Sequence, residues 1–331
     1  MTIRQIRKSV SQHTPSGKWL QGADDGPVAQ PALLRGWPLF AVIVIVGLIH
    51  GFNWPVMAHG VTLVPPVWLG VLRLATGAAV VAAVMAVRGR LRLPLRRDVP
   101  VVLSVGVMQL AVVYSLMFVA LSLAPAGRSA VLLHTSALWA VPIAAVVLRE
   151  RYSAVTLVGL ALGTTGVVML LAPWEDGFFD STKPLGYGLL LAGALLNAVA
   201  TVHIRAHRWA SSPLQLLPWQ LGIGSVIAAC CAWVTVGPPE IAPGLVTVLV
   251  VLYQGVFASA VGVWGILVIS RSLTAVSSNL SLMIVPVLGL LSSAVLLSEA
   301  LPVYVLVGLV LVLLGAAFGI AATRTAPTAD G

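Results

Sequence analysis

Residues 129–168 read SAVLLHTSALWAVPIAAVVLRERYSAVTLVGLALGTTGVV, and residues 278–317 read SNLSLMIVPVLGLLSSAVLLSEALPVYVLVGLVLVLLGAA. At a shift of 149 residues Ser129 falls on Ser278, Leu133 on Leu282, Leu148 on Leu297, Glu150 on Glu299, Gly159 on Gly308 and Gly166 on Gly315. A one-residue gap extends the match upstream, with Ser122-Leu123 on Ser272-Leu273. Each copy is an apolar run, a short junction carrying a glutamate, and a second apolar run studded with glycine. The chain is internally duplicated, and the unit it repeats is a set of apolar helices.

Composition says where such helices live. The 331 residues are 59% hydrophobic and only 9% charged, with a mean hydropathy of +1.02. A soluble domain is about half apolar and about a quarter charged, so these charges are too few for a water-facing surface. At roughly 33 residues for a span and its loop, the length allows about ten helices and leaves no room for a soluble catalytic domain. Windows of about 19 residues give spans at 38–57, 67–87, 99–120, 129–148, 154–172, 185–204, 214–236, 245–270, 279–297 and 302–321. Each is long enough to cross about 30 Å of hydrocarbon at 1.5 Å per residue.

The basic residues give the orientation. With the N-terminus inside, 16 of the 19 Lys and Arg fall in the tails and inner loops, five of them in the N-terminal tail and five, Arg88, Arg90, Arg92, Arg96 and Arg97, between spans two and three. Arg128 and Lys183 lie outside and Arg73 lies within a span, while the outer loop between spans five and six carries Glu175, Asp176 and Asp180. A basic excess marks the cytoplasmic side, so the net charge of +9 is an orientation signal and calls for no nucleic-acid partner. Cys230 and Cys231 are adjacent in an apolar run, and no disulfide or zinc framework follows.

Five helices per half is an odd number, so the second half enters the membrane from the opposite side to the first. The expected fold is an all-α membrane protein of ten transmembrane helices, two inverted five-helix repeats with both termini inside (N-in/C-in). Its divisions are a disordered cytoplasmic tail (1–37), a first repeat (38–172), a periplasmic linker (173–184), a second repeat (185–321) and a cytoplasmic tail (322–331). Inverted repeats suit secondary transport, because two equivalent halves build outward- and inward-open states around one central site.

The residues resemble the drug/metabolite transporter superfamily, in particular its EamA-type ten-helix branch. The resemblance rests on Gly51-Phe52-Asn53, Leu72-Arg73-Leu74, Ala120-Leu121 through Ala126, and Leu148-Arg149-Glu150-Arg151-Tyr152 with Gly159 and Gly166. The second copy contributes Val285-Pro286, Leu297-Ser298-Glu299-Ala300-Leu301, Gly308 and Gly315. Together these cover nearly all of 38–321. The resemblance implies transport of small organic solutes, commonly export of amino acids or other metabolites, in the cell membrane, with no cofactor. It also implies a central cavity lined by helices one, three, four, six, eight and nine. His50 stands where the family usually has Trp, and Ala137 where it has Pro, with Pro142 displaced later.

Polar groups inside spans are costly and are functional candidates. Arg73, about two turns inside helix two, either binds a solute carboxylate in bidentate fashion or holds helices together. His50, Gly51 and Trp54 share a face of helix one with Gly47, and Asn53 adds an amide; the alternative is close packing through the glycines. Further candidates are Gln109, Tyr114, His134, Trp139, Asn197, Gln220, Tyr253, Gln254 and Trp264. A cavity of aromatic, amide and imidazole groups suits zwitterionic or amphipathic solutes. Glu150 and Glu299 sit at helix junctions, where a carboxylate meets free N–H groups. The glycines of helices five and ten, Gly159 and Gly308 among them, fit each other or a second copy of the chain, so a homodimer is one of two outcomes.

No Asp or Glu lies within a span, so proton antiport, exchange and facilitated diffusion all stay open, with His50, His134 and His203 as titratable groups. An intramembrane enzyme would need a paired base and nucleophile or a metal cluster at depth, and the sequence offers neither. A non-transporting scaffold gives the duplication no evident purpose. The partners expected are a small-molecule solute and the lipid bilayer.

Overall fold

The protein is described here by a computed structural model covering residues 34–148, 154–175, 177–207, 210–273 and 275–322. Glu150 and most of the two tails lie outside these residues. The first half holds α1 (Trp37–Gly60), α2 (Pro66–Val87), α3 (Val99–Leu121), α4 (Ala126–His134), α5 (Ser136–Leu148) and α6 (Ala154–Leu171). The second half holds α7 (Lys183–Ala206), α8 (Pro213–Thr235), α9 (Leu245–Ser272), α10 (Ala275–Leu282), α11 (Ile284–Leu297) and α12 (Val303–Ala322). Among the described residues there is no strand. Among the described residues eight helical segments are long and apolar enough to cross a membrane, one of them, Ser277–Leu297, running through α10 and α11 together, and Val303–Phe318 forms a shorter apolar stretch.

Local chemistry sets the helix starts. Proline stands in the first turn of α1, α2, α3, α7 and α8, where its missing N–H is not needed. Ser212 also caps α8, its hydroxyl accepting from the Gln215 N–H at 3.4 Å. The sequence predicts one unbroken helix over 129–148 and another over 279–297. The structure breaks the first at Thr135 and the second at Met283. At each break the backbone tightens to an i→i−3 bond, Thr135 N–H to Leu132 O and Met283 N–H to Leu280 O. The Thr135 hydroxyl takes the same Leu132 carbonyl at 2.6 Å, which draws that acceptor away from regular α-helical bonding. The helices α3 and α9 carry matching π-helical stretches, Val105–Val112 and Tyr253–Val261.

Packing repeats the sequence duplication. Exchanging each helix for its counterpart in the other half preserves several of the main contacts, though the close α4–α11 contact has no comparable α10–α5 contact among the described residues. α6 packs on α12 and α2 on α8, while the α1–α11 contact has its partner in α7–α5 and the contact of α2 with the π stretch of α9 in that of α8 with the π stretch of α3. The α6–α12 seam is glycine on both sides. A Cβ at Gly315 would fall 2.6 Å from Gly159 O and 2.7 Å from Gly163 Cα, and one at Gly166 would fall 2.7 Å from Gly308 O. These glycines therefore serve the contact between the repeats within one chain.

The loops separate by charge. At one end, loop 88–98 meets the α7–α8 junction through Asp98, which accepts from Ala210 N–H at 2.9 Å and from His207 Nε2 at 3.2 Å. At the other end the linker after α6 joins the starts of α4, α7 and α12 through Glu175. One end is thus dominated by the arginines of loop 88–98, and the other carries Glu175 and Glu299 balanced by Arg128 and Lys183.

Candidate functional site

Between these ends the interior holds a belt of polar side chains in an apolar setting, centred on Arg73. Arg73 is 4% exposed. Its Nε donates to Ser259 Oγ at 3.2 Å, and its Nη1 donates to Gln254 Oε1 at 2.8 Å and to Met57 Sδ at 3.3 Å. The guanidinium also lies over the Tyr114 ring, 4.7 Å from its centroid. Among the described residues no carboxylate comes within ion-pair distance of it. A buried cation is expensive, and here it is solvated by an amide oxygen, a hydroxyl, a thioether and a π face.

The backbone builds this shell. The π stretch of α9 turns Gln254 and Ser259 to the same place, and the Ser259 hydroxyl takes the Gln254 carbonyl at 2.9 Å. Such π segments recur at functional sites. Gln254 is fully buried, its oxygen is committed to Arg73, and its Nε2 has no partner. On the α1 side Asn53 Nδ2 donates to Met57 Sδ at 3.3 Å, while the buried Asn53 Oδ1 has no partner. The site therefore presents a cation, a free amide donor and a free amide acceptor, drawn from α1, α2 and α9, with Tyr114 of α3 as its wall.

Other sequence candidates form polar and ring contacts of their own. Gln109 Nε2 donates to Asn197 Oδ1 at 2.7 Å, and Asn197 Nδ2 donates to Ser136 Oγ at 3.1 Å, tying the π stretch of α3 to α7 and to the start of α5. The Trp54 and His134 rings are 6.3 Å apart. His134 Nδ1 is 2.7 Å from Ala130 O, and His50 Nδ1 is 3.2 Å from Val46 O. His50 fills the space at Gly262, where a Cβ would lie 2.3 Å from its Cε1. Tyr253 donates its hydroxyl to Ile49 O at 2.8 Å.

The remaining candidates do not join these groups. Trp139 Nε1 is buried without a partner. Gln220 is buried in α8 across from Gly106, and Trp264 stands on an exposed face of α9. Gly51 admits Leu288, whose Cβ would meet a Cβ there at 2.4 Å, and Pro286 is buried in α11.

Two features escape sequence reasoning. The Glu299 carboxylate caps α4 of the other repeat instead of the helix that follows it, accepting from Ala126 N–H at 2.6 Å and Gly127 N–H at 2.9 Å. Beside it Glu175 accepts from Arg128 at 2.5 Å, from Lys183 at 3.2 Å and from the Tyr304 hydroxyl. Arg128 above all, joined by Tyr304 and Lys183, holds the Glu175 carboxyl down to about 2 against the opposing effect of burial. At the opposite end burial raises Asp98, and the Ala210, Ser211 and His207 hydrogen bonds outweigh it, leaving that carboxyl below its ordinary value. Apart from Lys183, the partners of Glu175, Glu299 and Asp98 are far from them in sequence, and only the charge of each residue was readable.

Comparison with known proteins agrees with this architecture. The EamA-like transporter family profile matches residues 37–172 and again 184–320. A probable amino-acid metabolite efflux pump of Salmonella typhimurium is 29% identical over 300 residues, covering 86% of this chain and 96% of the relative. Its Escherichia coli counterpart, of the same description, is 28% identical over 84% of this chain and 92% of the relative. A solved crystal structure superposes with a TM-score of 0.59 at 25% identity, over 86% of this chain and 98% of the other. Two copies of one family unit, an all-helical bundle and relatives described as transporters rather than enzymes lead to one conclusion: the chain belongs to the EamA-like transporter family and is a multi-pass protein of the cell membrane.

Proposed function

We propose that the protein exports small amphipathic metabolites of the amino-acid type by alternating access, with the Arg73 cluster as the polar anchor of the solute. The observation that carries this reading is the composition of that cluster. A guanidinium without a counter-ion stands beside an unpartnered amide donor, Gln254 Nε2, and an unpartnered amide acceptor, Asn53 Oδ1. A solute carboxylate supplies the missing negative charge, accepting from Arg73 and Gln254, and a solute ammonium donates to Asn53. Tyr114, Trp54 and His134 offer ring surfaces for an apolar body. Gln109, Asn197 and Tyr253 line the approach in the same reading, with His50 as a further contact, while Trp139, Gln220 and Trp264 stand apart from the cluster.

The fold proposed with this function has ten crossings, the broken pairs α4/α5 and α10/α11 each counting as one. The two repeats, 38–172 and 185–321, are joined by an outer linker at 173–184 and run in opposite directions, with both termini in the cytoplasm. Support comes from the paired contacts that the two halves share, such as α1–α11 with α7–α5, and from the separation of charge between the ends. Arg73 and Gln254 are almost entirely shut off from solvent, so solute must reach them by helix movement, as alternating access requires. A homodimer would use surfaces other than the α6–α12 glycines.

The test is flux from proteoliposomes loaded with a panel of amino acids, the corresponding amides and the corresponding decarboxylated amines. Flux of the carboxylate-bearing zwitterions at least about tenfold above that of the amines is expected, since each charge-assisted hydrogen bond contributes about 1.5–3 kcal/mol. No flux above empty vesicles for any member of the panel would mark the protein as a scaffold. Equal flux of acids and amines would remove Arg73 from recognition.

A further inference from the structure

A second basic feature lies outside the transport path, in the connection between α2 and α3. Its sequence, Arg88-Gly89-Arg90-Leu91-Arg92-Leu93-Pro94-Leu95-Arg96-Arg97, alternates guanidinium and leucine. Residues 90–95 are irregular and belong to no helix, and in extended chain successive side chains point to opposite sides. Leu91, Leu93 and Leu95 are 38%, 74% and 54% exposed among the described residues. Arg88, Arg92, Arg96 and Arg97 are exposed as well.

The loop is held in place. Gly89 takes a left-handed φ of 63° to leave α2, Arg90 N–H bonds Met85 O at 2.7 Å, and Asp98 N–H bonds Leu95 O at 2.8 Å. Trp219 of α8 donates its indole N–H to Arg92 O at 2.8 Å. Asp98, which follows the loop, is fully buried with its carboxylate turned to Ala210 and His207. Among the described residues no ion pair neutralises these five arginines.

We infer that residues 88–97 form a binding surface for anionic phospholipid, with the leucines seated among acyl chains and the arginines on the phosphate headgroups. The position fits, because α2 reaches the loop through the exposed apolar residues Val84 and Val87, so the loop begins where the helix leaves hydrocarbon. The chemistry fits, because clustered Arg beside a membrane helix attracts anionic headgroups, while a polyanion in water would leave the leucines uncovered. The inference needs only that α2 crosses a bilayer, and it stands or falls independently of what the Arg73 site carries.

The experiment uses the full chain with Cys230→Ser and Cys231→Ser, which removes the two exposed free cysteines, and Leu93→Cys carrying a bimane fluorophore. The protein is reconstituted in phosphatidylcholine vesicles containing a nitroxide-bearing lipid, either phosphatidylglycerol or phosphatidylcholine with the nitroxide at the same depth. Quenching by the anionic lipid at least about threefold stronger is expected, since clustered arginines beside the membrane attract anionic headgroups. That preference should shrink at about 1 M salt, where the Debye length is about 3 Å, and vanish on combining Arg90→Gln, Arg92→Gln, Arg96→Gln and Arg97→Gln. Equal quenching by the two lipids at low salt, or none by either, overturns the proposal. Both readings come from the protein with its arginines intact, so a poorly folding arginine variant does not blunt the test.

Discussion

At the scale of single residues, Arg73 shows how a charge can be kept inside an apolar bundle while remaining free to act. Its neighbours Gln254, Ser259, Met57 and Tyr114 satisfy the geometry of the guanidinium without cancelling its charge. A purely structural arginine and a solute-binding one respond oppositely to Gln254→Glu. That isosteric change puts a carboxylate where the amide oxygen now sits, 2.8 Å from Nη1, and gives Arg73 a resident counter-ion. We expect the melting temperature to stay level or rise and flux of carboxylate-bearing solutes to fall at least about tenfold, since the added carboxylate repels the solute's. If flux survives unchanged, Arg73 holds helices and nothing more. Arg73→Lys is the companion test: an ammonium lacks the planar fork that serves Ser259 and Gln254 together, so flux should fall while folded yield holds. Arg73, Asn53 and Tyr114 were legible in the sequence because a polar group within a span stands out against its surroundings. Met57 and Ser259 were not, because a thioether reads as core and a small hydroxyl is common in helices.

At the scale of helices, the two halves meet where side chains are absent. Gly159, Gly163, Gly166, Gly308 and Gly315 bring the backbones of α6 and α12 into contact, as small residues do where lipid supplies no hydrophobic drive for association. Added methylenes in a packed site cost about 1–3 kcal/mol where neighbours can yield. Here the neighbours are backbone atoms, so Gly315→Leu should exceed that range, and the expected result is loss of folded, monodisperse protein on size exclusion. Gly222→Ala on α8, where a Cβ meets nothing within 4 Å, is the control and should express normally. The Glu299 cap on α4 offers a milder change: Glu299→Ala frees the Ala126 and Gly127 N–H groups, costing about 1–2 kcal/mol and lowering the melting temperature by a few degrees. The glycine spacing was readable as a packing face, though the sequence left its partner open. The breaks at Thr135 and Met283 and the π stretches were not readable, since they depend on single carbonyls changing hydrogen-bond partners within uniformly apolar runs.

At the scale of the whole molecule, the proposed cycle requires the end closed by Glu175 to open. Glu175 joins the linker to α4 through Arg128, to α7 through Lys183 and to α12 through Tyr304, so these helix starts separate only when its bonds break. The acidic character of the linker was visible in the sequence, but the convergence of Arg128 and Tyr304, 47 and 129 residues away, on the carboxylate that Lys183 also meets is a product of the fold. The pH behaviour follows from the sign of its shift. A carboxyl held down to about 2, below its ordinary value of 4.5, contributes stability that is complete above that ordinary value and is lost as pH falls through about 2. The closure is therefore indifferent to pH across the neutral range, and protons do not release it there. In a background lacking the native cysteines, Ser129→Cys places a thiol at a fully buried position beside Arg128 that opening of this end would uncover. Labelling by a membrane-impermeant charged maleimide, corrected for the pH dependence of thiol reactivity with a small-molecule thiol, should be slow and flat from about pH 8 to pH 5. Adding Glu175→Gln, which removes the charge and keeps the shape, should speed labelling several-fold at every pH in that range. Unchanged labelling would show that Glu175 does not hold this end closed, and a corrected rate that climbs steeply towards pH 5 with Glu175 present would show that another titrating group controls it.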